Sequence, residues 1–269
     1  MAWRALLLLP LAVAAANCRR AEPASRAVPA TVPATVTVAA AADLARAFHE
    51  VGEAFEKRSG SKVTFQFGST GLLARQIIAG APFDLFAAAD QSFVDEVTRA
   101  GACDDATRAL YARGRIVVYT KHGGSVARPT TLADLADARF VKIAIANPEH
   151  APYGRAAEQA LRHAGIWEAV RARLVYGENV QQALQFAESG NAEAAIVALS
   201  LAVTSDGESL PIDPATYPPL DQALVICRHG AAATQARELV RFINSPDGRA
   251  IMRRYGFWLP GEVGSSAHP

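Results

Sequence analysis

The sequence predicts an α/β protein built on largely parallel sheets and divided into two lobes. Three observations point that way. Short apolar runs with strand-like alternation are followed, one after another, by stretches with helical spacing. The helical stretches stop at glycines, where a left-handed C-terminal residue is wanted. Finally, 269 residues exceed one minimal core and fall short of three ordinary domains.

Taken in order, Met1 to Arg4 carry one positive charge and lead into an apolar run from Ala5 to Ala16. That run is too short to span a membrane and suits the core of a signal peptide. Ala14 and Ala16 offer a cleavage site, so residues 1–17 are expected to be removed on export. Cys18 leaves a lipoprotein anchor open, although Asn17 and Ala15 make a poor lipobox. Residues 18–34, rich in Ala, Pro, Ser and Arg, read as a disordered linker.

Strand signals then fall at 36–40, 62–67, 84–88, 115–120, 141–146, 174–176, 194–199 and 223–227. Helical patterns fall at 44–58, 72–79, 92–100, 155–164, 180–189 and 246–255, each just ahead of a glycine. Ser92 with Asp95, and Asn179 with Gln182, have capping-box spacing. Residues 205–219 read as one long loop, and 262–269 as a frayed tail. Cys103 and Cys227 are too few to define a disulfide framework. Cys227 lies in an apolar run and reads as a buried free thiol, with a bridge to Cys103 left open.

The 27 basic residues against 26 acidic ones leave a net charge of +1, which removes the electrostatic case for a nucleic-acid partner. The chemistry lies in four strand-to-helix junctions: Ala41 to Leu44, Gly68 to Gly71, His150 to Gly154, and Gly177 to Val180. The stretch Asn147 to Gly154 is the most telling, because an apolar strand leads through it to Pro152, which suits a first helical turn. Helix amides beyond such a start point outward at the positive end of the dipole and hold oxyanions without a basic side chain. If junctions from both halves face one cleft, neutral donors can enclose a tetrahedral anion, each charged hydrogen bond contributing about 1.5–3 kcal/mol.

The segments Ala40 to Leu44, Phe67 to Gly71 with Leu73 to Ile77, Gly80 to Phe86 with Ala89-Asp90, Asn147 to Gly154, and Gly177 to Leu184 carry a resemblance. In these the chain resembles the ModA family, the molybdate-binding proteins of bacterial ABC importers, over about residues 36–256. The resemblance implies a two-lobed periplasmic binding protein of the type II, Venus-flytrap kind, each lobe a mixed, mostly parallel sheet flanked by helices. It assigns 35–113 plus 226–261 to lobe 1 and 114–225 to lobe 2. It implies molybdate or tungstate as ligand, an inner-membrane permease as partner, a monomer, no cofactor and no catalysis. The oxyanion would be held through the amides of Asp43, Tyr153 and Val180 and the hydroxyls and amides of Ser69 and Thr70, with no direct bond to the metal. Sulfate, thiosulfate or an organic phosphate is the alternative ligand; an enzyme, adhesin or sensor on the same fold is a further alternative.

Two departures stand out. Family members commonly place Ser, Thr or Asn where this chain has Asp43, and a carboxylate beside a dianion is repelled. The expectation is that Asp43 turns its side chain onto its own helix amides as a cap; the other reading is a pocket tuned to another anion. Some members also donate a tyrosine hydroxyl from a position that is Ala198 here, and the Tyr153 hydroxyl is the expected substitute. Arg75 and Arg155 could steer an anion or simply lie solvated on the rim. His49 to Glu53 mimics a zinc helix motif but ends in glutamate, so it reads as an exposed helix face. His150 reads as a loop residue, and Asp84, Asp90 and Asp134 as turn and cap residues.

Overall fold

The computed structural model describes residues 34–262. The expected leader, Cys18, the linker up to residue 33 and the tail beyond Glu262 lie outside the described residues. Strand β1 (Thr35–Ala41) passes through a 3₁₀ turn (Ala42–Leu44) into helix α1 (Ala45–Ser59). Then come β2 (Lys62–Gly68), α2 (Thr70–Ile78), β3 (Leu85–Ala88), α3 (Gln91–Arg99) and the long β4 (Cys103–Gly114). The chain crosses at Arg115 into β5 (Ile116–Lys121), β6 (Ile143–Ala146), α4 (Pro152–His163), α5 (Trp167–Val170) and β7 (Leu174–Gly177). After α6 (Val180–Glu188), β8 (Ala194–Ala198), α7 (Leu199–Ala202) and β9 (Gly207–Pro211), it returns through β10 (Leu220–Cys227) to α8 (Ala233–Ile243) and α9 (Pro246–Arg254).

Two five-stranded sheets result, ordered β2-β1-β3-β10-β4 and β7-β6-β8-β5-β9. Each is evenly mixed, because the strands that enter from the other lobe, β10 and β5, pair antiparallel with their neighbours, while β1 and β6 pair in parallel. The central strands β3, β6 and β8 are buried along their whole length, as continuous apolar runs between helix layers must be. Helices α1, α3 and α4 bury one apolar stripe each, and Gly60 (φ 73°) and Gly165 (φ 70°) take the left-handed stops expected of them.

Four expectations need correction. Strand β10 begins at Leu220 and pairs with β4 from Gly114 onward, so residues 220–225 belong to the first sheet and the return crossing lies before them. The long loop is interrupted by β9, an edge strand on β5. Cys227 is no free thiol: it ends β10 opposite Cys103 at the start of β4, and the two form a disulfide. Helix α3 is capped by Asp90, whose carboxylate accepts from the Ser92 amide, in place of the Ser92–Asp95 box. The tail begins tied down, since Glu262 accepts from Arg253 Nε at 3.0 Å.

Candidate functional site

Strands β1 and β2 end level with one another, Ala41 beside Gly68, and β6 and β7 do the same, Ala146 beside Gly177. Each of these four carboxyl ends feeds a helix start, so the starts come in adjacent pairs, one pair per lobe. That is where ligand sites form in open α/β sheets. The two pairs meet around a small cavity lined by Asp43, Ser69, Thr70, Tyr153 and Val180 together with small neighbours such as Ala42 and Ala151. All five predicted residues are thus brought together, each no more than 3% exposed.

The capping pattern shows what these helix ends leave open. A first helical turn has amides without intrahelical partners, normally satisfied by a capping side chain. Helices α3 and α9 are capped by Asp90 and Ser245, whereas α8, outside the cavity lining, has no side-chain cap. At the cavity Ala41, Ser69 and Ala151 precede their helices with no side-chain cap. Asn179 does cap α6, but it takes the amides of Gln181 and Gln182 and leaves that of Val180. The first-turn amides of Asp43, Thr70, Tyr153 and Val180 are therefore placed to receive an anion. Among the described residues no Lys, Arg or His lines the cavity.

The side chains depart from expectation. Asp43 does not cap its own helix: its Oδ2 accepts from Tyr153 OH of the other lobe at 2.9 Å and from Gln222 Nε2 of its own sheet at 2.7 Å. The reason is burial, because at 0% exposure the carboxyl needs donors and those of Tyr153 and Gln222 lie within reach. Its pKa is pushed up to about 6 by burial, with the hydrogen bonds from Gln222 and Tyr153 holding it lower than burial alone would. The other carboxylate oxygen, Oδ1, has no hydrogen-bond partner among the described residues. Tyr153 therefore does not substitute for the missing tyrosine at Ala198 with its hydroxyl. Burial, then the charge of Asp43, holds that phenol well above the usual tyrosine range.

Glycine at 114 makes this arrangement possible. A Cβ there would collide with the Tyr153 hydroxyl, so only glycine lets the phenol sit against the crossing strand. Gln222 was missed by sequence reasoning, because it follows Asp221 just ahead of the apolar run 223–227 and reads as polar surface, although it is 0% exposed.

Ser69 is on the wall, but its hydroxyl donates to the His150 carbonyl at 2.6 Å and lies 2.8 Å from His150 Nδ1. The Gly71 amide donates to the same carbonyl at 3.0 Å. Ser69 and His150 thus join the lobes, and the hydroxyl available beside the cavity is that of Thr70, which accepts from the Ala89 amide. Ser200 Oγ adds a bond to the Asp43 carbonyl at 2.7 Å. Arg75 is exposed, and the Arg155 guanidinium stacks on Phe93, 4.8 Å from the ring centre. Neither lines the cavity. His49 and Glu53 lie on the exposed face of α1, and no group of three His, Cys, Asp or Glu side chains suited to a metal ion occurs among the described residues.

The family described as bacterial extracellular solute-binding protein matches residues 36–258. The chain is 36% identical over 233 residues to the molybdate-binding protein ModA of Azotobacter vinelandii, a match covering 84% of this chain and 90% of that protein. It is 34% identical over 235 residues to ModA of Escherichia coli (strain K12), covering 83% and 89%. The solved structure of the Azotobacter vinelandii periplasmic molybdate-binding protein superposes with a TM-score of 0.78 at 29% identity, covering 84% of this chain and 99% of that one.

Proposed function

We propose that this chain, which belongs to the ModA family of bacterial extracellular solute-binding proteins, captures molybdate or tungstate between its lobes and delivers it to the permease of an ABC importer. The relatives bearing the name ModA are molybdate-binding proteins. The observation that carries the reading is the convergence of four helix starts on a cavity without a basic lining side chain. Open amides and the Thr70 hydroxyl bind the oxygens of the anion, and the metal itself is never touched. Donors fixed by backbone geometry fit one anion radius, so a smaller tetrahedral ion leaves some unpaired, at about 1–3 kcal/mol each.

The protein does no chemistry on its ligand and acts after export, in the periplasm, as a monomer. Closure follows from the anion touching both lobes at once. Sulfate, thiosulfate or an organic phosphate is the second reading, and one observation favours the phosphate among them: the buried Asp43 carboxyl, whose free oxygen would accept from an oxyanion that keeps a proton near neutral pH.

A thermal-shift series with molybdate, tungstate, sulfate, thiosulfate and phosphate decides between them. A ligand at about 100 times its Kd stabilises the fold by roughly 2.7 kcal/mol. Molybdate and tungstate are expected to raise the Tm. A shift from sulfate or phosphate with none from those two sinks the proposal.

A further inference from the structure

Asp43 is the one acidic residue among the described residues that line the cavity, and the hydrogen bonds of its carboxyl are lopsided. Tyr153 and Gln222 both donate to Oδ2, while Oδ1 is buried with no protein partner among the described residues. An ionised carboxylate spreads its charge over both oxygens and needs donors on each. A neutral acid matches the observed pattern, with Oδ2 as the carbonyl oxygen accepting twice and Oδ1 carrying the hydrogen. Gln222 Nε2 also donates to Tyr153 OH at 3.2 Å, which turns the phenolic hydrogen toward Asp43 and fixes the direction of the network.

The surroundings supply no compensating positive charge. The turn bearing Asp43 packs against α1, α2's preceding strand β2, α6 and α7. On α1, Arg46 pairs with Glu188 of α6, Glu50 with Arg254, and His49 rests on Phe65 and Phe67 of β2. The short α7 carries no ionisable side chain. The groups that do reach the carboxyl are the phenol of Tyr153, the amide of Gln222, and Tyr111 of β4, whose own pKa is raised by burial and then by the Asp43 charge.

Resting on the reading of this cavity as an oxyanion site, we propose that Asp43 acts there as a neutral carboxylic acid whose Oδ1–H is donated to the bound dianion, so that each anion captured brings one proton into the site. No covalent bond to the ligand forms or breaks. The carboxylate takes its proton from solvent as the dianion enters, and the site gains one negative charge in place of two. Asp43 thereby becomes a specificity residue. With it protonated the lining holds no charged acceptor, which suits a fully deprotonated tetrahedral oxyanion and leaves the hydroxyl of hydrogen phosphate without a carboxylate to bind. Ionised, the same residue would select the opposite way.

The test is calorimetric titration of the intact folded protein with molybdate between pH 6 and 8.5, in Tris and in HEPES, whose different ionisation heats reveal proton exchange. Expected is an uptake approaching one proton per anion above pH 7, with affinity falling about tenfold per pH unit there, as linkage to a single proton requires. Asp43→Asn should take up no proton and bind with an affinity flat in pH. The wild-type measurement stands alone if that variant fails to fold. Binding without proton uptake overturns the proposal while leaving the oxyanion reading intact. Tighter binding of phosphate than of molybdate overturns it too, and makes Asp43 an acceptor. No heat from molybdate or tungstate in either protein overturns the oxyanion reading and the proposal together.

Discussion

Asp43 is a buried acid kept where only its neutral form is at ease, and that has a consequence for stability without any ligand. Its pKa rises from 3.8 in the open chain to about 6 in the fold. A group whose folded pKa is raised contributes stability that is complete below the lower value and lost as pH climbs through the higher one. The loss between pH 4 and 7.5 is at most about 3 kcal/mol, at 1.36 kcal/mol per unit. Asp43→Asn keeps the shape without the charge, so its Tm relative to wild type should rise across that interval by several degrees. Scanning calorimetry of the anion-free proteins at pH 4, 6 and 7.5 checks it; a constant difference would mean that the charge is already relieved. Thr70→Val, in contrast, removes a neutral donor and is expected to weaken molybdate binding about tenfold to a hundredfold with no change in pH profile.

Among the elements, the four helix starts depend on how closely the lobes approach, and Gly71 sets that approach at the start of α2. A Cβ at this position would lie 2.8 Å from the His150 carbonyl oxygen and 3.0 Å from Phe93. Gly71→Ala should therefore hold the lobes apart, weakening molybdate binding well over tenfold, because the nearest obstacle, the His150 carbonyl oxygen, lies across the cleft. The disulfide acts differently. It joins β4 to β10 across a separation of 124 residues, and the chain-entropy model assigns about 4–5 kcal/mol to closing such a loop. Reduction, or Cys103→Ser with Cys227→Ser, should lower the Tm by on the order of 10 °C and leave molybdate affinity at saturating stability unchanged; an unaltered Tm would show the link to be idle. Strands β1 and β6, and the helix starts that follow them, were legible because buried parallel strands write continuous apolar runs, and the edge strand β2 was legible because Val63, Phe65 and Phe67 alternate with polar residues. Strand β4 was not, because as an edge strand beginning Cys103-Asp104-Asp105 it carries the polar residues of an exposed border. Strand β9 was hidden in a polar stretch for the same reason. The site divides likewise: local signals revealed the amides, whereas the partners of Asp43 lie 110 and 179 residues away at Tyr153 and Gln222, and no local pattern encodes such a pairing.

Over the whole molecule, the same carboxyl ties proton binding to the distance between the lobes. In the closed arrangement Asp43 is sealed against Tyr153 of the opposite lobe and Gln222 beside the crossing strands. Opening would separate Tyr153 from it and admit water, returning its pKa toward the ordinary value. Closed and open states then differ in proton affinity, and whichever binds the proton better is favoured as pH falls. Closure is thus expected to gain as pH drops from 8 through about 6 and to level off below about 4. The gain cannot exceed the roughly 3 kcal/mol set by the pKa difference, a change of about a hundredfold in the closed-to-open ratio. Small-angle X-ray scattering of the anion-free protein should therefore show a smaller radius of gyration at pH 5 than at pH 8, whereas Asp43→Asn, closed or open on its other contacts alone, should scatter alike at both. Saturating molybdate should abolish the difference by closing both proteins at either pH. If wild type and variant change together, the pH response comes from some other group; if neither changes, the cross-lobe bonds of Ser69, Gly71 and Ser200 already outweigh the charge of Asp43.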